Sequence, residues 1–528
     1  MRKSYLLLAA LTLSMAAKAQ QPGAVIDVQH YKFAITLNDD NNNIKGTASV
    51  TTKFLKTASA FALDLAKKDD KGKGMLVTAL KENGKALHFT QDDDKVTIST
   101  TGKKGSLHTY VLSYQGVPSD GLIISTNKHG HRTFFGDNWP NRGHNWLPLV
   151  DHLADKATVE FVVTAPAHYN VVANGLKLEE KLLPNKLKLT HWKETAKLPA
   201  KVMVIGVADF AIDHPGNPNN IPVYTYVFPE DKEIGFKNYA VATKIIPFYN
   251  EKVGPFPYKK LANVQSKTIF GGMENAGAIF YYENSVLGQD IEPLMAHEIA
   301  HQYFGDAVSE KNWWHVWLSE GFATYMTNCY MESRYGVDTL KHAEKADRRA
   351  VLAFEQKYKA PIVDSAFTGK LMNILNDNAY QKGGWVLHML RRKVGDDAFW
   401  KGISTYYKLY TGGNAYTDDL RVVMEKASGQ DLKQFFKQWL RTAGHPDLNI
   451  TWKYNAANTA IDIHVEQTQD ELFEFPLEIS VNGKMIKTDI KAKTVNIVAP
   501  LTPDQNGVVV DPNVNLLASY TVNGEKIK

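Results

Sequence analysis

The sequence predicts a multidomain α+β protein, with an all-β N-terminal part, a mainly helical middle and a small β domain at the end. Three observations carry this. The spacing of apolar residues has a period of two from about residue 24 to 208, changes to three-to-four from about 230 to 440, and returns to two from Leu448. The chain has 528 residues, enough for about three or four domains at roughly 150 residues each. Hydrophobic residues make up 44% and charged residues 22%, a balance that supports folded cores and argues against wholesale disorder.

The first element is a targeting segment, residues 1–19. A basic start, Met1-Arg2-Lys3, precedes a mostly apolar run from Tyr5 to Ala17, and Ala17-Lys18-Ala19 fits a small-x-small cleavage site that leaves Gln20 as the new N-terminus. The run is too short to span a bilayer comfortably, and no later run reaches the ~18 apolar residues a membrane helix needs. No cysteine stands at the cleavage point, so a lipid anchor there is unsupported. The single cysteine, Cys329, excludes an internal disulfide and a cysteine zinc cage. Export without disulfides points to a bacterial periplasm or the medium, with no membrane span after signal removal. The net charge is 61 − 56 = +5, and 58 − 56 = +2 without Arg2, Lys3 and Lys18. That balance predicts no nucleic-acid partner.

The β-rich part, residues 20–210, opens with Tyr31, Phe33, Ile35 and Leu37 alternating with Lys32, Ala34 and Thr36. Residues 157–163 form another alternating run, and Asn38-Asp39-Asp40-Asn41-Asn42-Asn43 reads as a hairpin turn. A calcium loop counted from Asp39 would want Gly and Glu where Ile44 and Val50 stand. His129 and His131 read as loop residues. Pro215-Gly216-Asn217-Pro218-Asn219-Asn220 marks a linker or long turn. The helical part, residues 211–444, ends in the stripe Phe435, Phe436, Trp439, Leu440 before Gly444-His445-Pro446. Residues 445–528 are the small β domain.

The chemistry concentrates at His297-Glu298-Ile299-Ala300-His301. Residues four apart on a helix are about 40° apart around its axis, so both imidazoles leave one face and can chelate one ion. Leu294 and Phe304 share that stripe, which turns it inward, and Gly305 suits a helix C-terminus. Glu320, in Trp317-Leu318-Ser319-Glu320-Gly321-Phe322, follows His301 after 18 intervening residues among apolar neighbours, where an unpartnered carboxylate is costly. Two histidines and a carboxylate leave zinc's fourth position open for water, as a catalytic site requires. Glu298 is free to take a proton from attacking water and pass it to a leaving amine. Cys329 reads as a buried packing residue.

Two further segments bear on the substrate. Gly271-Gly272-Met273-Glu274-Asn275 offers glycines that let a substrate backbone approach an extended edge, and in Glu274 a fixed negative charge for an α-ammonium. Taken alone, it is equally a glycine bulge with a surface glutamate. In Ala379-Tyr380-Gln381-Lys382-Gly383-Gly384, the Tyr380 phenol suits an oxyanion donor, although a core aromatic explains it as well.

Together, in this order and at these gaps, GGMEN, HEIAH, the glutamate of WLSEG and YQKG resemble the aminopeptidase N family of zinc metallopeptidases, which includes leukotriene hydrolase. Leu147-Pro148-Leu149-Val150-Asp151, Asp155-Lys156-Ala157 and the run from Phe435 to Pro446 extend the resemblance over nearly the whole mature chain. It implies an N-terminal β-saddle, a thermolysin-like catalytic domain and a C-terminal β-sandwich. It implies one Zn2+ per chain on His297, His301 and Glu320, with Glu298 as general base. Glu274 would bind the substrate amine, Tyr380 would stabilise the transition state, Gly271 and Gly272 would hold the substrate chain, and Met273 would line the first side-chain pocket. Partners would be peptides with a free N-terminus.

Departures accompany the resemblance. Gly272 and Ser319 stand where many members carry Ala and Asn. Many members also have a large helical domain after the β-sandwich, and its absence here would leave the cleft more open to longer peptides. The family's second amine-binding group falls on Trp139, with Asp137 or Asn138 as substitutes. Met372 stands where epoxide chemistry needs an Asp, so that activity is not expected. The alternatives are a thermolysin-like endopeptidase, which shares the metal motif, and an inactive peptide-binding protein of the same fold.

Overall fold

The computed structural model describes residues 25–288, 291–455, 459–481, 483–500 and 507–524. The expected targeting segment lies outside the described residues. The chain has an N-terminal β-rich domain, a helical domain and a C-terminal β-rich region, as the apolar periods predict.

The N-terminal domain is built on an eight-stranded sheet. At its centre Ile26–Thr36 pairs in parallel with Lys156–Pro166, in the register Tyr31 to Val159, Phe33 to Phe161 and Ile35 to Val163. Alternate residues of the first strand, Tyr31, Phe33 and Ile35, are buried, and the Phe33 and Phe161 rings meet at 5.5 Å. Ile26–Thr36 also pairs antiparallel with Ile44–Phe54 across the Asn/Asp turn, which confirms the hairpin. A four-stranded and a three-stranded sheet complete this part.

The helical domain starts on a five-stranded sheet in the order Ala211–Gly216, Val223–Val227, Leu261–Ser266, Ala278–Tyr282, Gly272–Met273. The run from Pro215 to Asn220 joins the first two strands, so it is a turn within this sheet. Gly272–Met273 is an edge strand, paired only with Ala278–Tyr282 among the described residues. The longer helices are α1 (Lys232–Tyr239), α2 (Ala242–Lys252), α3 (Ile291–Tyr303), α4 (Trp317–Tyr335), α5 (Val337–Glu355), α6 (Gly383–Val394), α7 (Asp396–Tyr410) and α8 (Thr417–Ser428). Among the described residues no helix is long and apolar enough to cross a membrane. The C-terminal region holds a four-stranded and a three-stranded sheet whose apolar positions, such as Ile450, Ile463, Leu477 and Ile479, are buried.

Two features set the geometry of the functional cleft. Helices α3 and α4 run antiparallel: His301 faces Glu320 at one end, while the Tyr330 hydroxyl donates to Glu292 Oε1 (2.5 Å) at the other. In addition, α4 and the start of α6 touch backbone to backbone. A Cβ added at Gly321 would lie 2.8 Å from the Gly383 main chain, and one added at Gly383 would lie 3.0 Å from Gly321 Cα. The glycines of WLSEG and YQKG are thus each other's packing partners, and their contact draws the turn carrying Tyr380 against the helix carrying Glu320.

Because backbone meets backbone there, no side chain can rotate to make room. Gly321→Ala is expected to lower stability by about 1–3 kcal/mol through overpacking, read as a lower urea midpoint. Leu182→Ala, at a side chain 72% exposed, is expected to stay within about 0.5 kcal/mol.

Candidate metal centre and active-site cleft

Helix α3 carries His297 and His301 on one face, and α4 brings in Glu320 near its first turn. Their ligand atoms converge. His297 Nε2 and His301 Nε2 are 3.1 Å apart, and Glu320 Oε2 is 3.1 Å from His301 Nε2 and 3.6 Å from His297 Nε2. Ligands about 2.0–2.1 Å from a tetrahedral zinc would sit roughly 3.3 Å from one another, so the three atoms already outline one face of such a site. His301 Nδ1 lies 3.1 Å from the Phe304 carbonyl and from Ser319 Oγ. Donation to the carbonyl puts the proton on Nδ1 and aims the Nε2 lone pair at the centre, the outer-shell arrangement of metal-binding histidines. Glu320 Oε2 is buried without a hydrogen bond of its own. The donor set fits a divalent transition ion.

The electrostatics agree. Burial would depress the His301 imidazole, but Glu320 with help from Glu274 and Glu298 overrides it and holds it at about 10. Burial would raise Glu320, yet the charge of His301 and the contacts from both imidazoles keep it well below the usual carboxylate range. The pocket thus favours positive charge beside the Glu320 carboxylate.

Glu298 projects from the same helix towards the edge strand. A Cβ added at Gly272 would come within 2.3 Å of Glu298 Oε1, so glycine is what lets this side chain lie against the strand. At Gly271 an added Cβ meets nothing within 4 Å, which leaves open space for a substrate chain. Burial, opposed by His301 and reinforced by Glu274 and Glu320, pushes the Glu298 carboxyl up to about 8. A dication beside it acts in the opposite direction. One turn on, Gln302 clamps the strand's far end: its Nε2 donates to the Glu274 carbonyl (2.6 Å) and its Oε1 accepts from Gly277 N (2.7 Å).

Glu274 is buried and lines the cleft with His297, Glu298 and Met273. Its partner is a fully buried lysine that sequence reasoning missed. Lys201 Nζ lies 3.4 Å from Glu274 Oε1 and 3.7 Å from Glu310 Oε1. Burial disfavours that ammonium, but Glu310, Glu274 and Asp306 outweigh the penalty and raise its pKa. Both Glu310 oxygens are buried without hydrogen bonds. One ammonium thus serves two carboxylates, of which Glu274 also lines the cleft. The available signal was a lone lysine inside the apolar run Ala200-Lys201-Val202-Met203-Val204-Ile205. Nearby, Lys156 donates to the Asp306 and Ala307 carbonyls (2.9 and 3.0 Å), which ties the N-terminal domain to the loop after α3.

Tyr380 stands on a π-helical turn, Asn378–Lys382, with its ring stacked on His297 at 6.0 Å and 11°. Burial and the Glu320, Glu274 and Glu298 charges raise the phenol well above its ordinary value, so it is a proton donor at neutral pH. The cleft that these groups share has a volume of about 450 Å³.

One expectation needs correcting. Trp139 does line the cleft, packed edge-on against Phe270 and Trp313. Asp137 and Asn138, however, cannot take over amine binding. Asp137 is fully buried and bonded to Arg142 (2.5 Å), Thr268 Oγ1 (3.0 Å) and Ile269 N (3.1 Å). Asn138 is committed to the Met203 and Ala200 carbonyls and to the Trp146 indole. Both are structural. His129 and His131 pair with Asp231 and Glu230, and burial raises the Cys329 thiol to about 12, so all three are structural as expected.

Removing the shared ammonium strands two carboxylates in the interior. Lys201→Met is expected to cost about 3–5 kcal/mol of stability in urea denaturation. Adding Glu310→Gln, which removes one of the stranded charges, is expected to restore part of that loss.

The comparisons with known proteins agree with this architecture. Residues 27–201 match the Peptidase M1 N-terminal domain, and residues 238–439 match the Peptidase family M1 domain. "Probable aminopeptidase 2" of Sulfurisphaera tokodaii is 25% identical over 88% of this chain and 62% of its own length. "Leucyl aminopeptidase" of Saccharolobus solfataricus is 25% identical over 80% and 58%. "Tricorn protease-interacting factor F2" of Thermoplasma acidophilum is 29% identical over 70% and 48%. The chain therefore spans less than two thirds of the length of these relatives. A crystal structure of a mutant M1 zinc metallopeptidase from Deinococcus radiodurans, bound to a Tyr-Ser-Ala substrate, shares the fold with a TM-score of 0.68 at 24% identity, covering 80% of this chain and 95% of that one. With both domain matches in sequence on one chain, the protein belongs to peptidase family M1.

Proposed function

We propose that the protein is an exported, zinc-dependent aminopeptidase that removes N-terminal residues from peptides. The observation that carries this reading is the position of Glu274. It is a buried carboxylate at the end of an edge strand, in the same cleft as the convergent His297, His301 and Glu320. A carboxylate fixed there closes the cleft on the amine side with a charge that suits an α-ammonium, and a blocked chain end would leave it unpaired.

In this reading His297, His301 and Glu320 hold the ion. When bound, it supplies Lewis acidity to the scissile carbonyl and to water. Glu274 receives the substrate's ammonium group. The free edge of Gly272–Met273 orients the substrate backbone, and the open space over Gly271 leaves room for its chain. Glu298 accepts a proton from the attacking water and delivers it to the leaving nitrogen as the C–N bond breaks. The Tyr380 hydroxyl donates to the oxygen on which negative charge develops. Met273, with Trp139 and Phe270, gives the first side-chain pocket an apolar wall. Export to a bacterial periplasm or the medium rests on the basic, apolar and small-residue pattern of residues 1–19.

The test offers one peptide to the zinc-loaded protein with its N-terminus free or acetylated. Stepwise release from the free form alone is the expected result, lost on chelation and restored by zinc. Equal cleavage of both forms, or cuts within the blocked peptide, would point to an endopeptidase.

A further inference from the structure

The cleft does not end at the metal centre, and its charge is one-sided. Among the described residues that line it, four are carboxylates, Glu274, Glu298, Glu320 and Asp347, and none is a lysine or arginine. Three of the four have work in the proposed reaction. Asp347, on α5, has none.

Its place in the cleft follows from the antiparallel helices. Glu274 lies towards the C-terminal end of α3, where its carbonyl is held by Gln302. The cleft then passes His297 and Glu320 and continues along α4 over Thr324 to Asn328, with Leu294 opposite. Asn328 Nδ2 donates to Asp347 Oδ2 (3.2 Å) and to the buried Glu344 (3.2 Å), which fixes the Asp347 carboxylate at that far end. Asp347 forms no ion pair among the described residues, and burial raises its pKa to about 6. Gln381 Oε1, which borders the same end, is buried with no hydrogen-bond partner. The Thr324 and Thr327 hydroxyls donate back into α4, to the Glu320 and Ala323 carbonyls, and so offer the cleft only lone pairs. The Asp347 carboxylate, Gln381 Oε1 and the lone pairs of the two threonine hydroxyls thus place several hydrogen-bond acceptors at this end.

A substrate anchored through its amine at Glu274 sends the residue after the scissile bond in this direction. The eight residues from Glu320 to Asn328 cover about 12 Å along α4; the peptide unit after the scissile carbonyl, an extended lysine or arginine side chain of roughly 6–7 Å and a closing hydrogen bond of about 3 Å together cover that distance. We propose that Asp347, with Gln381, forms a subsite for a basic side chain on the residue immediately after the scissile bond, so that the enzyme prefers peptides with Lys or Arg at their second position. The inference rests on the aminopeptidase reading and adds a substrate class to it. The chain's small net charge carries no such information.

The test compares kcat/KM of the zinc-loaded protein on alanyl-lysine amide, alanyl-alanine amide and alanyl-glutamate amide, with alanyl-p-nitroanilide as a substrate that has no second residue. Lysine is expected to be favoured over alanine by about tenfold or more, the worth of a charge-assisted hydrogen bond. Asp347→Asn should bring the two within a few-fold of each other, and Asp347→Lys should shift the preference towards glutamate. Because each ratio is taken within one protein, partial loss of folded enzyme does not affect it. A lysine-to-alanine ratio near one in the unmodified protein, or a ratio that survives Asp347→Asn, overturns the subsite while turnover of alanyl-p-nitroanilide upholds the aminopeptidase reading. No turnover of alanyl-p-nitroanilide overturns both.

Discussion

Burying negative charge is the constraint on which this structure depends. Glu274, Glu298, Glu310 and Glu320 are all buried within one region, and an uncompensated charge in such a place costs several kcal/mol. They are accommodated in three ways. Glu320 faces two imidazoles that are poised to share a cation. Glu274 and Glu310 divide the Lys201 ammonium. Glu298 has its pKa pushed up by burial, which favours its neutral form. The cost of keeping these groups dry is offset by giving every one of them either a counter-charge or a proton.

This sorting also gives the cleft a direction. The positive groups, Lys201 and His301, lie behind the wall or at the metal centre, while Glu274, Glu298 and Glu320 line the space a peptide would enter. On the proposed reading, an amine-bearing chain end would meet Glu274, the scissile bond would meet the metal centre, and what lies beyond would meet Asp347. The backbone framework serves the same arrangement. Gly272 lets Glu298 lie close to the edge strand, and the Gly321–Gly383 contact brings the phenol of Tyr380 over His297.

Much of this was legible in the sequence because it is local. The apolar period gave the β, helical and β parts in order. The pair His297 and His301 is a four-residue spacing on one helix, and Glu320 opens the next, so a candidate metal face could be read from spacing and apolar surroundings, with the family resemblance joining the three residues. What was not legible depends on long-range packing. Lys201 and Glu274 are 73 positions apart, and nothing local announces their pairing beyond one lysine in an apolar run. Asp347 lies on a strongly amphipathic helix, where an aspartate ordinarily reads as solvated. The amine-binding substitutes expected at Asp137 and Asn138 failed for the same reason: their hydrogen bonds go to Thr268, Ile269, Ala200 and Met203, distant residues whose proximity only the fold creates.

The most direct measurement is anomalous diffraction at the zinc edge from crystals soaked with a free amino acid, the product of end-trimming. The account predicts one strong peak equidistant from His297 Nε2, His301 Nε2 and Glu320, with the amino acid's ammonium nitrogen within hydrogen-bonding distance of Glu274. A peak elsewhere, or an ammonium group turned away from Glu274 with the metal in place, would contradict it.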